Sequence, residues 1–375
     1  MKRAWLGVVL TAALAVALVA CGSKSDNIKI GIAGPMTGSE AKFGEQLKKG
    51  AEMAVADINA AGGINGKKLE LVPGDDACDP KQAQSVATKL VGEKVSAVIG
   101  HFCSSSTIPA SVVYSEANII QITPASTNPQ VTERKIATVF RTCGRDDQQG
   151  DVAGDFIAKL KPKAVAIIHD KTTYGQGLAD ATKSRLNGKY KIKETLYEGI
   201  NKGDKDFSSL ITKMKGAKID AIFFGGYHTE AGLMVRQAYD LGLKAKFVSG
   251  DALVTDEFAT VVGKNQATAG VVMTFGADAR KNPSAKAVVD KFKADKYDPE
   301  GYTLYSYAAV QSVAAAMKAN NNSKDGKVLA AWLKANAVET VMGAKSWDEK
   351  GDLKVSDYVV YGWKEKDGKM TYDEL

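Results

Sequence analysis

The chain is poor in the residues that usually carry chemistry. Its 375 residues include four cysteines and three histidines. No C-x-x-C pair occurs, which argues against a zinc knuckle or a thioredoxin-type redox site. There is no G-x-S-x-G, Walker A, G-x-G-x-x-G or H-E-x-x-H text, so no familiar catalytic signature is present. His101, His169 and His228 each follow an apolar run. They suggest a three-histidine metal site only weakly, since histidines satisfied by neighbouring carbonyls are the simpler reading. A hydrolase built on Ser104 fails for a similar reason: His101 is too close in sequence to serve as its positioned base. No enzyme activity, metal or cofactor is expected. The balance of 50 basic and 43 acidic residues gives a net charge of +7. No run of five or more basic residues occurs, so nucleic acid gains little support as a partner. Beyond residue 20 no segment is long and apolar enough to cross a bilayer.

The N-terminus is more informative. Lys2 and Arg3 precede an apolar stretch from Gly7 to Ala20, the pattern of a signal peptide over residues 1–20. Leu18-Val19-Ala20-Cys21 resembles a bacterial lipobox, so Cys21 is the expected lipidation site and residues 21–27 a lipidated tether. Export implies an oxidising compartment. With Cys21 lipidated, Cys78 and Cys103 can pair and leave Cys143 over. A loop of that length would stabilise by roughly 3–4 kcal/mol on a chain-entropy estimate.

From Asn27 onward, strands and helices alternate. Strands are expected at 28–33, 68–72, 95–100 and 119–122, with helices at 42–60, 81–91 and 108–116. After a break near 141–147 the pattern resumes. Strands are expected at 164–168, 191–196, 219–224 and 247–248, with helices at 175–186, 207–214 and 230–241. Helices at 285–294, 302–319 and 328–335 and a strand at 358–363 complete the chain. A βαβαβα series predicts parallel sheets covered by helices, and two such series predict two lobes.

The stretch Ala97 to Thr107 joins a buried strand to four hydroxyls, Ser104 to Thr107, ahead of a helix. Ala125 to Thr127 form a second polar turn after a strand. Such turns at strand ends suit an anion, and a carboxylate there accepts bonds worth ~1.5–3 kcal/mol each. Helix capping by Ser and Thr is the better account of one such turn; two beside one sheet edge make a ligand as good an account as capping. The second series supplies Tyr174, Tyr227 and Asp251 after its strands, partners for an ammonium through ring faces and ion pairing. Together the two halves make a clamp for a zwitterion.

These residues carry a family resemblance. Asp75 to Ala83, Gly100 to Thr107, Ile122 to Ala125, His169 to Gly175, Gly203 to Phe207, Gly225 to His228 and Trp347 to Leu353 are similar to text in branched-chain (Leu/Ile/Val) amino acid receptors of ABC importers. These belong to the type I periplasmic binding protein family. The resemblance covers nearly all of the chain beyond Cys21. It implies an α/β fold of two Rossmann-like lobes with parallel sheets, joined by a three-crossover hinge. Residues 28–145 plus 275–357 would form lobe 1, and 146–274 plus 358–375 lobe 2. It implies that Ser104 and Thr127 hold the ligand carboxylate, while the Ala125 carbonyl and Asp251 take the ammonium. Tyr174 and Tyr227 would lie over the ligand. Phe43, Phe102, Cys103 and Tyr302 would line the side-chain pocket, and Cys78 and Cys103 would form the family disulfide. Asp251 stands where close members carry Glu, and Phe43 where they commonly carry Tyr. The implied function is extracytoplasmic capture of an aliphatic amino acid and delivery to the permease subunits, by a lipid-anchored monomer. A sensor feeding a signalling partner is the alternative.

Overall fold

The structure, a computed structural model, describes residues 27–375. The signal segment, the Cys21 lipidation site and all of the tether but Asn27 lie outside them. Two sheets organise the chain. The first runs in the order β2 (Leu69–Asp75), β1 (Ile28–Gly34), β3 (Ala97–Ile99), β4 (Ile120–Thr123), β5 (Val139–Arg141), and every pair is parallel. Ile30 opposes Ala97, and Ile122 opposes Phe140. β3 and β4 are buried throughout, as strands covered on both faces must be.

The second sheet contains β6 (Val165–His169), β7 (Leu196–Gly199), β8 (Ala221–Gly225), β9 (Lys246–Ser249) and β10 (Val272–Gly276), all parallel. A small antiparallel pair, β11 (Val338–Thr340) and β12 (Gly343–Lys345), stands apart. β13 (Tyr358–Lys366) and β14 (Lys369–Glu374) then return to the edge of the second sheet and run antiparallel. The second lobe is therefore mixed rather than wholly parallel. The first sheet takes its last strand at Val139–Arg141, and the second sheet takes its strands from residues 165–276 and again from Tyr358 onward.

Two long helices from distant parts of the chain pack on each other. The helix Ala41–Ala60 buries Phe43, Leu47, Ala51 and Ala54 against the helix Thr303–Ala319. They cross closely at Gly50, where a Cβ would lie 2.0 Å from the Thr303 carbonyl oxygen. Gly100, at φ +133°, ends β3 where a Cβ would lie 2.1 Å from the Ala33 carbonyl oxygen. Only glycine meets both conditions without backbone movement.

Three local expectations change. The third helix begins at Ser104, not Ile108. Cys103 is its N-cap residue, and the Cys103 carbonyl accepts the Ser106 and Thr107 N–H groups at 2.9 Å. The four hydroxyls are thus its first turn. The strand expected at 191–196 starts at Leu196. A π-turn over Leu186–Tyr190 and a left-handed Lys191 (φ 57°) occupy the preceding residues, and apolar alternation there misled. The break near 141–147 conceals β5 and a helix, Asp146–Lys159. β5 has three residues, too few for periodicity to register.

Candidate functional site

The expected residues are buried, and most fall at the ends of strands of the two sheets. On the first side, Ser104 opens a helix and is 1% exposed; Thr127 is equally buried. The Asn128 N–H donates to Ser104 Oγ at 3.3 Å, so the Ser104 hydroxyl proton remains available. The other hydroxyls of that turn are not equivalent. Thr107 Oγ1 bonds Ser126 Oγ at 2.6 Å, and Ser126 Oγ donates to the Phe102 carbonyl at 2.8 Å. These hold the two turns to each other.

Arg141 holds the second turn from beneath. Its guanidinium is fully buried and donates to the Ser126 carbonyl (2.8 Å), the Asn128 carbonyl (3.2 Å) and Thr132 Oγ1 (2.7 Å). Its Nε faces Asp352 at 2.7 Å, and Asp352 also pairs with Arg145 at 2.6 Å. The Trp347–Leu353 text thereby gains a reason. Asp348 accepts the Asp352 N–H at 2.9 Å, and Trp347 Nε1 donates to the Arg141 carbonyl at 2.7 Å. The disulfide joins Cys78 to Cys103, with Cα atoms 5.6 Å apart. Cys143 is free and buried.

Across the cleft, the Asp251 carboxylate accepts from Tyr174 Oη at 2.7 Å and Gln149 Nε2 at 2.9 Å, and a short bond from the Tyr302 hydroxyl. Tyr302, expected to line the side-chain pocket, therefore also ties this acid to the other lobe. Burial pushes Asp251 above the usual carboxylate range, against the pull of Tyr302, Tyr174 and Gln149. A second acid stands beside it. Asp146 is fully buried and is raised well above the usual range, chiefly by burial and then by the charge of Asp251; the Thr127 hydroxyl and Arg141 oppose this. Its backbone N–H donates to the Thr127 carbonyl at 2.9 Å. Asp146 and Gln149 escaped the sequence reading because their helix did. Two acids at its first two positions, Asp146 and Asp147, mark a helix start and were the available signal.

Aromatic rings close the space. Phe43 stacks on Phe102 at 4.4 Å. Tyr302 meets Phe102 at 5.6 Å and Phe43 at 6.2 Å. From the other lobe, Tyr227 approaches Phe102 at 6.2 Å and Tyr174 at 5.3 Å, and His228 meets Phe43 at 5.4 Å. The Tyr227 hydroxyl lies 3.9 Å from Cys78 Sγ. Ala125 is buried at the second turn, and its N–H donates to Thr123 Oγ1 at 3.2 Å. Ring contacts and the Asp251 hydrogen bonds bring Phe43, Phe102, Tyr174, Tyr227, Tyr302 and Asp251 together, while Ser104, Ala125 and Thr127 lie buried at the two turns beside Cys103. The three histidines do not meet. His101 pairs with Asp76 at 2.5 Å and Tyr114 at 3.1 Å, His169 lies against Tyr197, and His228 faces Glu257 at 3.3 Å. A cavity of about 470 Å³ is lined by Cys143, Phe275 and Tyr358; of the expected site residues, Tyr302 reaches it.

Two α/β lobes with anion donors on one wall and acids with phenols on the other define a small-molecule binding protein of the two-lobed type. The chain belongs to the periplasmic binding protein family, whose model matches residues 27–369. An amino acid binding protein of Pseudomonas aeruginosa is 60% identical over 351 residues, covering 93% of this chain and 92% of that protein. The Leu/Ile/Val-binding protein homolog 1 of Brucella suis is 50% identical, over 99% of each chain. Among solved structures, the branched-chain amino acid transporter substrate binding protein LivJ of Streptococcus pneumoniae, in complex with isoleucine, is 30% identical. It superposes with a TM-score of 0.82 over 93% of this chain and 99% of that one. Among the described residues, no helix is long and apolar enough to cross a membrane.

Proposed function

We propose that this protein is the extracytoplasmic receptor of an ABC importer for aliphatic, branched-chain amino acids, a binding protein and not an enzyme. Relatives named for Leu, Ile and Val binding support the ligand class. The observation that carries the reading is the pair of buried acids, Asp146 and Asp251, beside Thr127 and Ser104 in a cleft walled by rings. One ligand ammonium would balance one negative charge on the pair of acids, while its carboxylate meets the Ser104 and Thr127 hydroxyls and the helix start. The Ala125 carbonyl would complete the ammonium's partners. The apolar side chain would pack among Phe43, Phe102, Tyr302, Tyr227 and the Cys103 bridge. Contacts to both walls favour the closed state, so lobe closure is the capture step.

In this reading lobe 1 comprises 28–145 and 275–357, and lobe 2 comprises 146–274 and 358–375. The protein acts as a monomer tethered through lipidated Cys21 and hands its ligand to the permease subunits. Titration calorimetry with Leu, Ile, Val, Ala and Thr tests the ligand class. Dissociation constants in the micromolar range or tighter are expected for the branched-chain members, about −8 kcal/mol or better. No heat with any of the five at millimolar concentration would overturn the reading.

A further inference from the structure

An acidic cluster lies by Tyr227, apart from the proposed ammonium site. Glu40, just ahead of the first long helix of lobe 1, is 1% exposed. Asp170, after β6, and Glu230, in the helix His228–Asp240 of lobe 2, are each 1% exposed as well. Each lobe-2 acid spends one oxygen locally. Asp170 Oδ1 accepts from the Thr172 N–H (2.9 Å) and hydroxyl (2.7 Å), and Glu230 Oε1 accepts the Gly203 N–H at 2.7 Å. Asp170 Oδ2 and Glu230 Oε2 make no hydrogen bond. Buried carboxylate oxygens left so are costly unless a cation stands near.

That cation is Lys202, on the loop after β7. Its Nζ lies 3.2 Å from Glu40 Oε1 across the cleft and 4.8 Å from the centre of the Tyr227 ring. Burial pushes Asp170 up to about 6 and Glu230 upward. Each is raised further by a neighbouring acid, Glu230 for Asp170 and Glu40 for Glu230, and lowered by the Lys202 charge. We infer that Lys202 is an interlobe strap. In the closed protein its ammonium serves Glu40 of one lobe and the Asp170–Glu230 pair of the other, and opening the cleft breaks the Glu40 half. Because Tyr227 is also a candidate ligand residue, the strap holds the ring over the ligand and slows its escape. Lys202 is a positioning residue: it acts through Tyr227 and the closed state.

The inference rests on the amino acid receptor reading, and stopped-flow fluorescence with L-leucine separates the two. Lys202→Met should raise the dissociation rate about tenfold while the association rate changes less than threefold. Lys202→Arg should keep both within threefold of the parent. Glu40→Gln should reproduce the effect of Lys202→Met, and the double variant should add nothing to it, the signature of a shared pair. Thermal melting of the ligand-free variants shows that each is folded. If the parent binds no amino acid, the receptor reading fails. If the parent binds, and Lys202→Met leaves the dissociation rate unchanged or Glu40→Gln does not follow it, the strap fails alone.

Discussion

The two walls of the cleft are built to different rules. The first is finished before any ligand arrives. Ser126 is bonded to Thr107 and to the Phe102 carbonyl, Arg141 plugs the carbonyls of Ser126 and Asn128, and the disulfide fixes Cys103 one residue before Ser104. Its charged groups, Arg141 and Asp352, are paired with each other, and of its turn hydroxyls Ser106 Oγ and Thr127 Oγ1 are left without a partner. The second wall is left in deficit. Asp251 and the neighbouring Asp146 are both buried and both held above the usual carboxylate range. A rigid wall whose charges are paired within it gives geometry at little electrostatic cost. A wall with excess negative charge gives a site that is completed by a cation. The contrast places most of the discrimination for an amino group on the acids and most of the shape on the hydroxyl turns.

Asp251→Ala should cause the largest loss, weakening leucine binding by well over tenfold, since removing one member of a buried charged pair costs about 2–5 kcal/mol. Ser104→Ala should weaken it by about tenfold, one charge-assisted hydrogen bond. Calorimetry with both variants checks this ranking; unchanged affinity in both would mean that the site lies elsewhere. The pH effect should be smaller. Because the acids are raised, protons compete with the ligand ammonium above the ordinary carboxylate range near about 4. Affinity should fall a few-fold as pH drops from 7.5 to 5, with protons released on binding, as calorimetry in buffers of different ionisation heat would show. A flat profile would mean that the acids are ionised without a ligand.

Much of this was legible in the residues. Ile28–Gly34, Ala41–Ala60 and their successors announce themselves by apolar period and by Gly62-Gly63 at a helix end. The proposed clamp was readable as a pattern, since Ser, Thr, Tyr and Asp recur after strands. What escaped had short or mixed signals. The strand Val139–Arg141 is three residues long, and the helix that carries Asp146 and Gln149 is rich in polar residues. Ser104 reads as a turn residue, yet Cys103 caps a helix there. The bond from Tyr302 to Asp251 joins residues 51 positions apart, and no local pattern encodes such a pairing. The Glu40–Lys202 contact is of the same kind.

The central claim is that Asp146 and Asp251 together hold the ligand's amino group. Calorimetry comparing L-leucine with 4-methylpentanoate, which keeps the carboxylate and the branched chain but lacks the ammonium, tests it most directly. The parent protein should prefer leucine by at least about a hundredfold, near 3 kcal/mol for a buried charge pair, and Asp146→Asn/Asp251→Asn should shrink that preference to less than about tenfold. Equal affinity of the parent for both compounds, or a preference that survives the double substitution, would contradict the account.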